Sequence, residues 1–278
     1  MLYVNFEPVE VKHFPAGEQS ILNFDFKKPI TGNKVFIDWH YENDEELVTL
    51  IYITNHIRSI YPGVLIQLNM PYIPHARMDR VKSRKEVFTL KYFAQVINSL
   101  NFCQVFTTDA HSNVSEALID RIVNVDPSEI INKIFDKVES TPVIYFPDAG
   151  AYKRYSDLEC FKNVKMVYGE KIRNWETHRI EGLNIVTNGI DLKDKYVIMV
   201  DDIISYGGTF YHSANKLKEL GVKEIYAYAT HTENEVLNEE KGTLIKSLKD
   251  GTVTKLFTTN SIFKEENESE YIEIIHKF

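Results

Sequence analysis

The chain is poor in cysteine, tryptophan, glycine and proline: its 278 residues include 2 Cys, 2 Trp, 12 Gly and 9 Pro. Cys103 and Cys160 can build neither a disulfide framework nor a cysteine-rich metal site. So little glycine and proline leaves no low-complexity segment. No apolar run exceeds about half a dozen residues, far short of the roughly 20 needed to span a bilayer. Positive charge is also in deficit, since 32 Lys+Arg against 40 Asp+Glu give a formal charge of −8. An acidic balance argues against nucleic acid or a membrane surface as partner, because both are anionic. No basic run is long enough to form a binding arm. The opening MLYVNFEPVEVKHF has no charged stretch followed by an apolar one, so no secretion signal is expected. What remains is 44% apolar and 26% charged, an ordinary soluble composition able to bury one large core or two small ones. A cytoplasmic protein is expected.

Short β-rich runs alternate with helical patterns. Residues 35–39, 64–69, 103–108, 143–146, 164–168, 196–200 and 224–229 read as strands, mostly continuous apolar runs of the kind buried on both faces of a parallel sheet. Leu90, Phe93, Ala94 and Ile97 follow the i, i+3, i+4, i+7 spacing of one helical face, and Leu47, Leu50, Ile51 and Ile57 mark another. This alternation predicts an α/β fold with mostly parallel sheets flanked by helices. Segment 110–141 is more polar and ends at Ser-Thr-Pro, which places a domain boundary near 140. The domains are then 1–140 and 141–278, the second closing with FKEENESEYIEIIHKF as a docked terminal helix.

Residues 196–210, YVIMVDDIISYGGTF, are the most informative. A buried strand runs out into Asp201 and Asp202, a turn holds Ser205, Tyr206, Gly207 and Gly208, and Thr209 opens a helix. Ligands of parallel sheets collect beyond the strands' carboxyl ends. Glycines let backbone approach a phosphate, and free amides at a helix start point at the anion. The two carboxylates suit sugar hydroxyls or a hydrated cation. Residues 71–86, PYIPHARMDRVKSRKE, crowd Arg77, Arg80, Lys82 and Arg84 after another strand, and guanidinium forks pair with phosphate oxygens. In TTDAHS (107–112), Asp109 and His111 alternate and would project to one side of an extended chain.

Together these segments resemble the ribose-phosphate pyrophosphokinase family, which builds phosphoribosyl pyrophosphate. Residues 196–210 resemble the ribose-phosphate loop of the phosphoribosyltransferase fold, whose acids are followed by two apolar residues and D-T-G-G-T. Residues 71–86 resemble P-Y-x-x-Y-x-R-Q-D-R-x-x-x-x-R-E, 107–112 resemble D-L-H-A/S, and FPDAGAYKR (146–154) resembles S-P-D-x-G-G-x-K-R. EKIR (170–173) falls where the family carries K-x-R on a flap, and HFPAGE (13–18) resembles F-x-D-G-E. Ala229-Thr230-His231 and Thr259-Asn260-Ser261-Ile262 match landmarks that read as structural.

The resemblance implies two tandem phosphoribosyltransferase-like domains and transfer of the β,γ-diphosphate of ATP to the anomeric hydroxyl of ribose 5-phosphate, releasing AMP. It further implies that Phe14, Glu18, Arg77, Met78, Asp79, Arg80 and His111 bind ATP. Mg²⁺ would be held by Asp109, His111 and Asp148. Asp201, Asp202 and residues 205–209 would take the ribose phosphate, and Lys171, Arg173 and His111 would act in catalysis. A homo-oligomer, dimer or larger, is implied as well. Departures are visible: Ala16 stands for an Asp, Met78 for a Gln, and Ser205-Tyr206 for Asp-Thr. The bulky Tyr206 leaves open an acceptor whose phosphate continues into a larger group, such as ADP-ribose in NAD metabolism. A phosphoribosyltransferase and a non-catalytic regulatory paralogue are the remaining alternatives.

Overall fold

The structure is a computed structural model that describes residues 1–21, 33–173 and 180–278, with the backbone alone for 171–173 and 180–181. The chain divides into two compact units, Met1–Val125 and Asp126–Phe278. No described helix is long and apolar enough to cross a membrane.

The first unit opens with short strands β1 (Leu2–Val4), β2 (Glu7–Pro8), β3 (Lys12–His13) and β4 (Gln19–Ser20). It continues with β5 (Lys34–Trp39), α1 (Glu45–Ile60), β6 (Leu65–Asn69), α2 (Thr89–Ser99), β7 (Gln104–Thr108), α3 (Asn113–Leu118) and β8 (Ile122–Val125). Its sheet has the order β2-β1-β5-β6-β7-β8, with β5 to β8 parallel and β1 and β2 added antiparallel. Val35, Ile37 and Trp39 alternate into the core with Leu50, Ile53 and Ile57 of α1. Leu90, Phe93, Ala94 and Ile97 join them as the face that α2 buries, on the predicted spacing.

The second unit runs α4 (Ser128–Phe135), β9 (Val143–Phe146), α5 (Ala149–Tyr155), β10 (Met166–Arg173), β11 (Ile180–Val186), β12 (Tyr196–Ile204), α6 (Gly208–Glu219), β13 (Glu224–Thr232), α7 (Leu244–Lys249), β14 (Lys255–Thr259) and β15 (Ile272–His276). Its sheet order is β11-β10-β9-β12-β13-β14-β15, parallel except for the antiparallel edge ribbon β10–β11. Both faces are covered. Val197 and Met199 of β12 pack into one apolar cluster, and Ile198 and Val200 into the other. That is why the strand reads as an unbroken apolar run.

Three expectations change. The chain enters the second unit at 126, ahead of the boundary read near 140, because Ile130, Ile131 and Ile134 of α4 pack with Ile144 and Phe146 of β9. The tail ends in a strand, not a helix: buried Ile272 and Ile274 alternate with half-exposed neighbours, and β15 adds parallel to β14. Asp201 and Asp202 lie within β12, which continues to Ile204 before turning.

Candidate functional site

In the second unit the strand order reverses between β9 and β12: the chain leaves β9 toward β10 on one side and β12 toward β13 on the other. Ligands of open α/β sheets bind beyond the carboxyl ends of strands at such a point. Asp148 follows β9 and caps α5, its Oδ1 accepting from the amides of Gly150 at 2.9 Å and Ala151 at 3.0 Å. We therefore expect Asp148→Ala to lower the unit's stability by about 0.5–2 kcal/mol and Asp148→Asn far less, because asparagine also caps. Thermal melts of the two variants check this.

The acid pair is split by the pleat. Asp202 is 2% exposed and pairs with Arg154 of α5, Nη1 to Oδ1 at 2.7 Å. Asp201 is half-buried on the other face and accepts from the Asp202 amide at 3.0 Å. Burial raises the Asp201 carboxyl well above the ordinary carboxylate range, and the neighbouring Asp202 charge raises it further; Arg154 offsets only part. Below the pair, burial pushes the Tyr145 phenol up to about 12, and that hydroxyl shares a 2.8 Å hydrogen bond with Ser213. Only glycine fits at position 169, because a Cβ there would meet the Tyr145 hydroxyl at 2.4 Å and the Pro147 carbonyl at 2.7 Å.

The loop after β12 is anchored residue by residue. The Ser205 hydroxyl donates to Glu233. The Tyr206 carbonyl accepts from the Thr243 amide at 2.9 Å and the Thr243 hydroxyl at 3.1 Å, while the Tyr206 residue is 38% exposed. Gly207 takes φ +82° before α6, and a Cβ there would meet Leu244 Cβ at 2.3 Å. Gly208 and the exposed Thr209 then open α6, whose first amides have no partner within the helix. A fixed, left-handed turn delivering free amides is a cradle for an anion.

In the first unit, the loops after β6 and β7 share one sheet edge. The Pro71 carbonyl accepts from the Thr108 amide and the Thr107 hydroxyl, both at 3.1 Å. Arg77, Met78 and Arg80 are exposed, and Arg80 Nε lies 3.6 Å from the largely buried Asp79 carboxylate. Asp109 does not alternate with His111 along an extended chain: it sits at φ +50°, 4% exposed, its amide donating to the Val125 carbonyl at 2.9 Å. The left-handed turn buries Asp109 and leaves His111 half-buried. Phe14 and Glu18, joined by a 2.9 Å backbone hydrogen bond, line a cavity of about 740 Å³ against Val48 and Tyr52 of α1.

Lys171 and Arg173 lie in a strand, not a loop: their backbones pair with Leu183 and Ile180 of β11, and their side chains fall outside the described residues. Among the described residues no group of three or more His, Cys, Asp and Glu is gathered to hold a metal ion. Thr230, His231 and Ser261 are buried and bonded together, His231 Nδ1 to Ser261 Oγ at 2.8 Å, as structural landmarks should be. Sequence reasoning gave no role to Arg154 or Glu233. Arg154 lay inside a quoted motif, so its place was a usable signal; Glu233 has none within its own segment.

No protein-family model matches the chain. A ribose-phosphate pyrophosphokinase of Pyrococcus abyssi is 30% identical over 80% of this chain and 75% of its own. Another, from Thermococcus kodakarensis, is 29% identical over 80% and 77%. A third, from Buchnera aphidicola, is 27% identical over 96% and 82%. A crystal structure of phosphoribosylpyrophosphate synthetase from Mycobacterium smegmatis matches 97% of this chain and 86% of its own with a TM-score of 0.74 at 17% identity, a likeness of fold. Identity at this level, sustained across most of both sequences, establishes that the chain belongs to the ribose-phosphate pyrophosphokinase family.

Proposed function

We propose that the protein transfers the β,γ-diphosphoryl group of ATP to the anomeric hydroxyl of ribose 5-phosphate and releases AMP. The observation that carries this is the anchored turn at Ser205–Thr209 beyond the acid pair of β12, in a chain of this family. Nothing in the relatives supports ADP-ribose as acceptor. A phosphoribosyltransferase would leave the Arg77–Arg80 loop and the Asp109–His111 turn without a task.

The hydroxyl attacks the β-phosphorus in line with the departing α-phosphate oxygen, a transfer in which positioning and charge neutralisation carry the catalysis. In the first unit Arg77 and Arg80 would grip the triphosphate beside Met78 and Asp79, with His111 at its phosphates and Phe14 and Glu18 at the base. In the second, Asp201 would bind the ribose hydroxyls, with Asp202 fixed behind it by Arg154, and residues 205–209 would anchor the 5′-phosphate. Lys171 and Arg173 would neutralise charge as it develops.

Mg²⁺ accompanying ATP would supply neutralisation of the phosphate charge. The donors fit such an ion. Hydrated Mg²⁺ uses one or two carboxylates plus substrate phosphates and needs no protein cage. Asp109 with His111 in the first unit, and Asp148 in the second, whose Oδ1 caps α5, would be the groups that hold it. A homo-oligomer in the cytoplasm, serving nucleotide biosynthesis, completes the proposal, and static light scattering reads its size.

The test is incubation with ATP, Mg²⁺ and ribose 5-phosphate, followed by mass spectrometry for AMP and a diphosphorylated pentose phosphate in equal amounts. ADP in place of AMP, or no acceptor-dependent product, overturns the reading.

A further inference from the structure

An acid, Glu233, directly follows β13. In the parallel register of β12 and β13, Ile203 lies beside His231 and Ile204 beside Thr232. The next pair is therefore Ser205 and Glu233, one residue past each strand's matched positions. Glu233 is held on both sides of its own backbone: its amide donates to the Ile204 carbonyl at 2.8 Å, and its carbonyl accepts from the Val236 amide at 3.1 Å. The half-buried Glu233 side chain accepts the Ser205 hydroxyl proton. A hydroxyl has one proton to donate, so Ser205 cannot at the same time donate to a phosphate oxygen. A carboxylate at the rim of an anion cradle also repels the anion.

We infer that Glu233 sets how strongly the acceptor site holds a phosphate group. It occupies the one donor of Ser205 and sets a negative charge beside the phosphate position. The acceptor's phosphate is then held through backbone amides and Thr209, weakly enough that inorganic phosphate and other small oxyanions, which bring no ribose to bind Asp201, do not hold the site by themselves. The inference rests on the reading that the 205–209 loop takes the acceptor's phosphate.

The experiment uses the full chain and measures KM for ribose 5-phosphate together with the inhibition constant of inorganic phosphate competing against it. Glu233→Gln keeps an oxygen for the Ser205 hydroxyl but removes the charge, so both constants should fall together by about tenfold, with kcat changing less. Glu233→Asp keeps the charge on a shorter arm, and both constants should stay within about twofold of the parent. Glu233→Thr, which also removes the charge, repeats the test if the glutamine variant does not fold. Unchanged or weaker anion binding in Glu233→Gln, or an equal gain in Glu233→Asp, overturns the inference. Thr209→Val separates the two layers. A raised ribose 5-phosphate KM there upholds the loop reading whatever Glu233 does, and an untouched KM refutes it.

Discussion

Lys171→Ala should lower turnover by about 10²–10⁴ while leaving the KM for ATP nearly unchanged. The expectation starts from where the backbone puts the residue. β10 pairs parallel with β9 through Met166–Tyr168, then runs on beyond its neighbour as an antiparallel ribbon with β11, where Lys171 lies opposite Leu183. The ribbon extends past the end of β9, the strand that delivers Asp148 to the site. An interaction made only as charge develops on the transferring group lowers kcat and kcat/KM together, whereas a ground-state phosphate contact raises KM. Lys171→Arg, which keeps the charge on a different geometry, should recover part of the loss. Steady-state kinetics on the three proteins decide it: an alanine variant that turns over at the parent rate removes Lys171 from the reaction, and one that fails only in KM makes it a binding residue.

Much of the fold was legible because burial on both sheet faces leaves a blunt signature. Val143–Phe146 and Tyr196–Val200 are unbroken apolar runs since each residue meets one or the other of two apolar clusters. The α2 face was legible for the complementary reason, a helix with one buried side. What escaped was set by partners distant in sequence. Residues 128–135 lie in the polar segment read as the end of the first domain, and β9 is what supplies a surface for their isoleucines. Ile272–His276 has too few alternations to outweigh the acidic stretch before it, and it becomes a strand because β14 presents an edge. At the candidate site, Asp148, Asp201 and the glycine pair were legible as motifs. The left-handed turn that buries Asp109 was not, because it depends on hydrogen bonds to Asn124 and Val125 across the next strand. Nor was the division of labour between Asp201 and Asp202, which depends on a guanidinium 48 positions earlier in the chain.

That guanidinium carries the second large effect. Arg154→Met should destabilise the second unit by about 3–5 kcal/mol, because Asp202 at 2% exposure would keep its carboxylate with the cation gone. For a body of this size the midpoint of thermal unfolding should drop on the order of 10 °C. Arg154→Lys keeps a charge but loses the planar fork, so it should fall between parent and methionine variant. The pH dependence distinguishes a lost ion pair from lost packing. The Asp201 carboxyl already sits above its unfolded value, mainly through burial, and Arg154 holds it down in part. The native state thus keeps a proton that the unfolded chain releases, so this group's contribution to stability falls as pH rises from the ordinary carboxylate range through the raised value. Without Arg154 that value moves up further, which steepens the fall, and protonation relieves the cost of a buried Asp202 carboxylate that has lost this cation. The deficit of Arg154→Met should therefore be largest at neutral pH and shrink on acidification. A deficit that stays constant with pH would assign Arg154 to packing alone. A variant as stable as the parent at neutral pH would mean that Asp202 does not depend on it.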